Sequence, residues 1–403
     1  MSRHINAPEA FRPCTSCQMC AAVCPKDAIA IRLDGDGFYR PVVDENRCVD
    51  CGLCQQVCYK FDTDVRTTED IDSTRLYAAT ARDGLLPQTV TSGGIADLLA
   101  KELTAQGYAC VGVRYDDRKA RAEHAVATSA EETDAFRGSK YIQSYTFPAF
   151  RQMAETCAGG KRIAVFGTPC QIYAAHRYLE RRKLRDRAIL IDLYCHGCPS
   201  MHVWTKYRQQ IKRQTGQTHF DRVDFRSKIR GWGNFYVVVV VDGEPVFVSS
   251  PGKDEFYELF FSDQVLNEAC HDCRLRSTLA YADIRLGDFW GKLYLSDLHG
   301  TSAVSIVTPA GEQLFRAISD KMQITQRHYA DFLPYQSYGR EYHPNMILRR
   351  KLLDTLKDSA LPLRNTMRIL HRHQNLKQRI KRQAKAIAYY LPPQMVKKLK
   401  RLL

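Results

Sequence analysis

Short apolar runs separated by amphipathic segments organise residues 75–343 of the chain. Runs rich in β-branched and aliphatic residues predict strands, and segments with apolar residues three or four positions apart predict helices. Strands are predicted at 76–80, 108–115, 122–128, 163–166, 189–194 and 302–308. Three of these strands lead through a glycine-bearing loop into a helix. This order is typical of an α/β domain whose loops gather at one edge of the sheet.

Helices and one further hairpin complete this pattern. A helix is predicted after Ser92-Gly93-Gly94, because the apolar residues that follow lie on one helical face. These residues are Ile95, Leu98, Leu99 and Leu103. Other helices are predicted at about 147–158, from Cys170 onward, and at 312–322. Residues 235–248 predict a β-hairpin with Asp242-Gly243 as its turn.

The first 61 residues have a different pattern, in which two cysteine runs flank a short predicted hairpin at 29–43. Both runs have the spacing Cys-x2-Cys-x2-Cys-x3-Cys, and they consist of Cys14, Cys17, Cys20 and Cys24, then Cys48, Cys51, Cys54 and Cys58. Three thiolates at this spacing surround one [4Fe–4S] cluster, and the fourth cysteine of each run binds the other cluster. We therefore expect two [4Fe–4S] clusters, one held by Cys14, Cys17, Cys20 and Cys58 and the other by Cys48, Cys51, Cys54 and Cys24.

Disulfides and zinc are the alternatives for these eight cysteines. Disulfides need an oxidising compartment, and residues 1–11 contain neither an apolar signal segment nor a twin-arginine pair. Zinc sites usually combine two separated Cys-x2-Cys pairs, whereas each run here places four cysteines within eleven positions. The duplicated spacing therefore favours iron–sulfur clusters.

The positive charge of the chain is concentrated at one end. Residues 345–403 hold sixteen Lys and Arg but only two Asp, so they carry +14 of the net charge of +15. The basicity therefore says little about the rest of the protein. The longest apolar run, 235–241, is too short to cross a membrane. We expect a cytoplasmic protein that is peripheral to the membrane if this basic segment binds lipid.

Residues 345–403 predict a helical basic tail. Leu361-Pro362 interrupts it, Ile369, Leu376, Ile380 and Ile387 then recur at helical spacing, and a second short piece is expected at 395–403. A basic amphipathic helix can lie on an anionic membrane surface, dock on a partner protein or remain solvated. Nucleic acid is disfavoured as a partner, because the segment has few aromatic residues for base stacking.

Several motifs in the second region occur together in one known family. They are Gly167-Thr-Pro-Cys170-Gln-Ile172, Cys195-His-Gly197-x-Pro199-Ser200, Cys270-x2-Cys273 and Ala282-Asp-Ile284 followed by Gly287-Asp-Phe-Trp-Gly291. Residues 75–340 thereby resemble the coenzyme F-420 hydrogenase/dehydrogenase beta-subunit family, which also includes 7-hydroxymethyl chlorophyll a reductases. Some members carry an N-terminal double ferredoxin, as here.

The resemblance implies that FAD and a further iron–sulfur cluster lie close together. Cys170, Cys195, Cys270 and Cys273 match the family's cysteines and would hold this third [4Fe–4S] cluster. Cys198 is a departure from the family pattern. It creates a second Cys-x2-Cys pair opposite Cys270 and Cys273, so that tetrahedral zinc is the alternative for this group. Cys110 and Cys157, in a predicted strand and helix, are expected to be ordinary buried residues.

The resemblance places the flavin among three glycine-bearing loops whose backbone N–H groups would approach a phosphate closely. The candidate flavin-binding residues are Ser92, Gly93, Gly94, Ser139, Lys140, Tyr141, Gly167, Thr168 and Pro169. Neither a Gly-x-Gly-x-x-Gly fingerprint nor a P-loop is present, so a standard NAD or nucleotide triphosphate site is not supported. Asp288 and Trp290 are candidates for cofactor contact or for simple packing.

His196, beside Cys195, is the candidate proton carrier, and the alternative is a histidine bonded to neighbouring backbone. Lys140 would pair with a phosphate or with reduced flavin, unless it is simply solvated.

The expected architecture has three parts. An α+β ferredoxin-like 2×[4Fe–4S] domain (1–61) is followed by an α/β flavin-binding domain (75–343) and a helical basic C-terminal tail (345–403). The expected function is that of an iron–sulfur flavoprotein oxidoreductase that exchanges electrons with a redox protein or coenzyme and with a two-electron organic acceptor similar to F-420. The alternative is a non-catalytic electron-transfer subunit or an adaptor that serves a partner enzyme.

Overall fold

A computed structural model describes residues 3–388 apart from 69, 83, 86–88, 230 and 251–253, and it leaves out the side chains of 381 and 385–388. The short piece expected at 395–403 therefore lies outside the described residues. The strands are β1 (Ile29–Leu33), β2 (Tyr39–Val43), β3 (Arg75–Ala81), β4 (Ala109–Asp116), β5 (Arg121–Ala127), β6 (Ser144–Tyr145), β7 (Ile163–Phe166), β8 (Ala188–Leu193), β9 (Arg222–Ser227), β10 (Tyr236–Val241), β11 (Glu244–Val248), β12 (Ile284–Asp288), β13 (Ser302–Ile306) and β14 (Met322–Arg327).

The helices are also numbered in chain order. They are α1 (Met19–Ala22), α2 (Leu53–Gln56), α3 (Ile95–Ala105), α4 (Ala130–Thr133), α5 (Phe147–Ala158), α6 (Pro169–Arg181), α7 (Met201–Thr215), α8 (Glu255–Phe260), α9 (Pro309–Ala317), α10 (Met346–Lys357), α11 (Leu363–Arg372) and α12 (Leu376–Ala388). None of the helices in the described part of the chain is long and apolar enough to cross a membrane.

A mixed sheet of nine strands forms the centre of the second region, in the order β14-β3-β13-β12-β8-β7-β4-β5-β6. Strands β12, β8, β7 and β4 run parallel, and β13 pairs antiparallel with both β12 and β3. Strand β3 therefore points the same way as the four parallel strands. The loops that follow β3, β7, β8 and β12 consequently meet at one edge of the sheet, where ligands of α/β proteins usually bind.

A second sheet, β11-β10-β9, covers another face of the molecule. Its hairpin turns at Asp242 and Gly243, and both residues have positive φ, at 51° and 81°. These are the dihedral angles of the tight turns that join antiparallel strands, so the predicted hairpin is present.

The helix predicted at 312–322 begins earlier and ends earlier. Thr308 caps α9 by accepting a hydrogen bond from Gly311 N–H at 3.2 Å, and Pro309 occupies its first position. A capping threonine followed by proline is a strong helix start, and the prediction overlooked it. Residues Ser319–Lys321 form a separate 3₁₀ turn.

The N-terminal domain shares a core with the large sheet domain. Met19 and Ala22 of α1, with Val57 and Tyr59, belong to the same buried cluster as Phe150 of α5. The linker also packs, because Arg66 N–H donates to the Tyr281 hydroxyl at 2.8 Å. The first 61 residues are therefore held firmly against the second region.

Much of the basic C-terminal segment is also part of the core. Leu348, Leu352 and Leu356 of α10 are buried together with Leu363 and Met367 of α11, against Trp204 of α7 and the β9–β11 sheet. By contrast, the described side chains of α12 are exposed or half-buried. The segment is thus a packed helical pair followed by one exposed helix.

Candidate functional site

Two cavities in the N-terminal domain are each lined by four cysteines. Cys14, Cys17, Cys20 and Cys58 line one cavity. Cys24, Cys48, Cys51 and Cys54 line the other. The last cysteine of each run thus faces the cavity of the other run, and this is the grouping that the spacing predicts for two [4Fe–4S] clusters.

The surroundings of these cysteines fit iron–sulfur ligation. Burial raises the pKa of the Cys17 and Cys54 thiols to about 11, so thiolates there need a neighbouring positive charge such as iron. Backbone N–H groups also point at sulfur, with Ser16 N 3.4 Å from Cys14 Sγ and Ala28 N 3.3 Å from Cys24 Sγ. Hydrogen bonds to sulfur are among the features that set cluster potentials.

A third group of cysteines lies at the edge of the large sheet. Cys170 follows β7 at the start of α6, Cys195 and Cys198 follow β8, and Cys270 and Cys273 lie in and after a short 3₁₀ turn. Burial raises the pKa of the Cys198 thiol, and the other four thiols raise it further, so the five are close neighbours. The structure therefore brings together the four cysteines expected to hold a third cluster, and it adds Cys198.

The loops that carry these cysteines are fixed to each other. Asn267 N–H donates to the Cys198 carbonyl, and Cys270 N–H donates to the Asn267 carbonyl, each at 2.8 Å. A Cβ on Gly197 would lie 3.3 Å from Cys270 Cβ and 2.9 Å from Leu266 Cδ1, so only glycine allows this close approach. Cys110 of β4 and Cys157 of α5, in contrast, are fully buried among apolar side chains, as expected.

Within the described ranges, no group of three or more His, Cys, Asp or Glu side chains is arranged to hold a metal ion.

Cysteines of the N-terminal domain adjoin this inner group. Cys17, Cys170 and Cys273 pack against the same buried cluster. Burial raises the pKa of the Cys170 thiol, and the nearby Cys17 thiol raises it further. Thr146 donates its hydroxyl to the Cys17 carbonyl at 2.7 Å and thereby connects this loop to the start of α5. The cavity lined by Cys14, Cys17, Cys20 and Cys58 is consequently the one beside the inner cysteines.

Two protein-family models match parts of this chain. Residues 13–60 match the model of the 4Fe-4S dicluster domain, and residues 160–331 match the model for the C terminus of the coenzyme F420 hydrogenase/dehydrogenase beta subunit. The chain joins these two domains. The predicted resemblance is thereby confirmed, with the matched residues including each of its cysteine, glycine and Asp-Phe-Trp motifs.

A solved structure also contains a chain similar to this one. The chain is similar to one in the structure described as xenon derivatization of the F420-reducing [NiFe] hydrogenase complex from Methanosarcina barkeri. Identity is 19%, the match covers 70% of this chain and 88% of that chain, and the TM-score is 0.45. No curated protein matches the sequence. The dicluster and beta-subunit domains together indicate a protein of electron transfer or oxidation–reduction.

In the beta-subunit domain, His196 has side-chain partners on both ring nitrogens. Its Nε2 lies 2.7 Å from Asp263 Oδ1, which requires the proton to be on Nε2 because a carboxylate only accepts. Its Nδ1 then accepts hydrogen bonds from the Tyr342 hydroxyl at 3.0 Å and from Ser337 Oγ at 3.2 Å. The alternative of a histidine held by neighbouring backbone does not describe this contact set.

Two of the three predicted flavin loops lie against each other, and parts of them are occupied by internal contacts. Ser139 N–H donates to Thr91 Oγ1 at 2.8 Å, so the loop containing Ser139, Lys140 and Tyr141 adjoins the one containing Ser92, Gly93 and Gly94. Gly93 N–H donates to Ser302 Oγ at 3.0 Å, and a Cβ there would lie 2.3 Å from the Ala79 carbonyl oxygen. Gly93 is therefore needed for close packing of this loop on β3.

The loop with Gly167, Thr168 and Pro169 is a helix cap in this structure. Thr168 and Gln171 form a reciprocal capping box, in which Thr168 N–H donates to Gln171 Oε1 at 2.9 Å. The hydroxyl of Thr168 lies 3.1 Å from Cys170 Sγ. The same cap thus places the first inner cysteine.

Two lysines beside these loops donate to backbone carbonyls. Lys140 Nζ donates to the carbonyls of Phe136 and Arg137, at 3.1 and 2.7 Å, and burial lowers its pKa to about 7. Lys228 Nζ donates to the carbonyls of Ser92 and His299, and burial lowers its pKa to about 8. An anionic ligand between them would favour their charged forms.

An aromatic and charged cluster follows β12 at the same sheet edge. Arg226, 1% exposed, donates to Asp288 at 3.0 Å, and Trp232 Nε1 donates to the other oxygen of Asp288 at 2.7 Å. The rings of Trp232 and Trp290 stack with their centres 4.6 Å apart. Asp288 therefore orients both a buried guanidinium and an indole, and Trp290 packs on that indole.

Sequence reasoning missed Arg226, Trp232 and Lys228. Two local signals were available. Arg226 is a charged residue directly after the apolar Phe225, and Trp232 lies between two glycines. Asp288, the partner of Arg226 and Trp232, is 62 residues from Arg226, so nothing local shows the contact.

Proposed function

We propose that this protein is an iron–sulfur flavoprotein oxidoreductase. It passes electrons between [4Fe–4S] clusters and FAD, and so to or from a two-electron organic acceptor such as an F-420-like coenzyme. The observation that carries the proposal is the row of three cysteine groups, which runs from the exposed Cys51 to the edge of the large sheet.

The row is continuous in its contacts. Cys20 and Cys54, which line neighbouring cavities, belong to one buried cluster, and Cys17 and Cys170 pack against another. Clusters held by these three groups would supply single-electron transfer between the cavity of Cys51, that of Cys17 and the inner group. The inner ligands we propose are Cys170, Cys195, Cys270 and Cys273, with Cys198 beside them.

The flavin would lie where the loops after β3, β7 and β12 meet. Its proposed contacts are Ser92, Gly93, Gly94, Ser139, Lys140, Tyr141, Gly167, Thr168 and Pro169, to which the structure adds Lys228 as a neighbour of Ser92. A bound flavin supplies hydride transfer on one side and single-electron exchange with iron on the other. An anionic group of the ligand would favour the charged forms of Lys140 and Lys228, and the stacked Trp232 and Trp290 lie at the same sheet edge.

His196 is the proposed proton carrier. Asp263 accepts the Nε2 proton and orients the ring, while Tyr342 and Ser337 donate to Nδ1. Because His196 directly follows Cys195, a proton can move beside the inner cysteines when an electron arrives.

A second function is favoured by one specific observation. The Gly93 and Thr168 N–H groups, expected to hold phosphate, already donate to Ser302 and Gln171. A chain without a flavin would be a non-catalytic electron-transfer subunit or adaptor, in keeping with a family named for a beta subunit. In both cases its partner is a redox protein or coenzyme, and we propose a cytoplasmic setting.

The deciding experiment measures iron, sulfide and flavin in protein purified without oxygen. About twelve iron atoms and one FAD per chain are expected for three clusters and a flavin. Cys195→Ala should lower the iron to about eight atoms, since one cluster is lost, whereas the control Cys110→Ala should keep about twelve. About eight iron atoms without flavin in the unaltered protein would exclude the first function and leave the second.

A further inference from the structure

Helix α12 (Leu376–Ala388) presents apolar side chains to solvent. Leu376 and Ile380, one turn apart, are 74% and 57% exposed. The described side chains from 376 to 384 are exposed or half-buried, and Ile387 continues the apolar spacing in the sequence. A helix of this length is marginal in water without an apolar partner, so its stripe points to a surface that covers it.

The start of this helix is defined by its own residues. Asn375 Oδ1 accepts from Gln378 N–H at 2.9 Å, and Gln378 Oε1 accepts from Asn375 N–H at 3.0 Å. This reciprocal cap fixes where the helix begins and therefore which side chains share its apolar face.

The charge around the stripe is of one sign. Residues 359–403 contain twelve Lys and Arg and no Asp or Glu. Lys377 and Arg379 lie exposed beside the apolar pair, and Arg364, Arg368 and Arg372 form an exposed row on α11. A second copy of the chain would bring like charges together, whereas an anionic plane complements both the charge and the narrow stripe.

We propose that α12 binds the surface of an anionic lipid bilayer. Leu376 and Ile380 enter the boundary between headgroups and acyl chains, and the stems of Lys377 and Arg379 extend toward the phosphates. The proposal is independent of the redox function, because no cysteine of the three groups belongs to α12. It would hold the protein at a membrane surface.

The test is sedimentation of the full, cluster-loaded chain with vesicles. Vesicles of phosphatidylcholine with phosphatidylglycerol are compared with phosphatidylcholine alone, at low and high salt. Binding is expected only to the anionic vesicles, and it should weaken with salt. Lys377→Gln with Arg379→Gln should weaken partitioning about 25-fold. Leu376→Gln with Ile380→Gln should weaken it at least about tenfold.

Gln383→Ser, another exposed position on α12, is the matched control and should bind as the unaltered chain does. Unchanged iron content and unfolding midpoint in every variant show that the fold is intact. Three results would overturn the proposal. The first is that the chain does not sediment with anionic vesicles at low salt. The second is that both double variants bind as the unaltered chain does. Alternatively, a dimer that Leu376→Gln with Ile380→Gln disperses would identify a second copy as the occupant.

Discussion

The side-chain amide of Asn267 donates to the Ser16 hydroxyl at 3.0 Å, across 251 residues of sequence. Asn267 is fully buried, and its backbone bonds to both Cys198 and Cys270 of the inner group. Ser16 lies between Cys14 and Cys17 and also accepts a hydrogen bond from Arg40 at 2.9 Å. One asparagine thus joins the first cysteine run to the inner cysteines.

Replacing this asparagine should loosen the junction. Asn267→Ala removes one partner of Ser16 and the acceptor of the buried Ala269 N–H, so the free energy of unfolding should fall by about 1–3 kcal/mol. Denaturant unfolding followed by circular dichroism measures this change, and the exposed Asn46→Ala is its control. Equal stability of the two variants would show that the bridge contributes nothing.

The buried pair of Arg226 and Asp288 should be far more sensitive than a surface pair. Asp288→Ala leaves the guanidinium of Arg226 charged without its carboxylate, and breaking such a buried pair costs about 3–5 kcal/mol. Arg316→Ala removes an exposed pair with Glu312 and should leave stability nearly unchanged. Thermal unfolding of both variants checks the contrast, which would be absent if Asp288 were dispensable.

Acid should destabilise the fold through His124. Burial lowers the pKa of this ring to about 4, from about 6.5 in the unfolded chain, so only the unfolded chain takes up a proton between these values. Stability is therefore complete above the unfolded pKa and is lost as the pH falls through this window. Between about pH 7 and about pH 5.5 the loss should be about 1 kcal/mol.

His124→Gln keeps a donor for the Phe166 carbonyl and does not titrate, so it should reduce this pH dependence. The exposed His219→Gln should retain the dependence of the unaltered protein. Chemical unfolding at the two pH values compares them. An unchanged slope in His124→Gln would mean that this ring does not titrate as its burial implies.

The crossed cysteine grouping predicts which substitutions resemble each other. Cys58→Ala should remove the same cluster as Cys20→Ala, and Cys24→Ala the same cluster as Cys54→Ala, because each pair lines one cavity. Electron paramagnetic resonance of the reduced variants identifies the remaining cluster. If Cys58→Ala instead gave the spectrum of Cys54→Ala, each run would bind its own fourth cysteine.

Local patterns in the sequence predicted much of this fold, but contacts between residues far apart in the sequence were not predicted. Strand β7 and helix α5 were expected at the residues that form them, since apolar spacing is a property of neighbouring residues. The many basic residues of 345–403 suggested a tail, although Leu348, Leu352 and Leu356 repeat every four positions and are buried.

The site shows the same division. Duplicated spacing grouped the eight N-terminal cysteines, and the family motifs grouped the inner ones. The Asn267 bridge and the Arg226–Asp288 pair required the folded chain, because their partners lie on separate elements.

The central claim is that electrons pass between the outer clusters and a flavin through the inner cysteines. The most direct measurement follows flavin absorbance without oxygen after mixing with a reduced ferredoxin, in the unaltered protein and in Cys195→Ala. If electrons take this route, flavin reduction is rapid in the unaltered protein and much slower in the variant, and the outer clusters are reduced in both proteins. Equal rates in the two proteins, or no flavin signal at all, would contradict it.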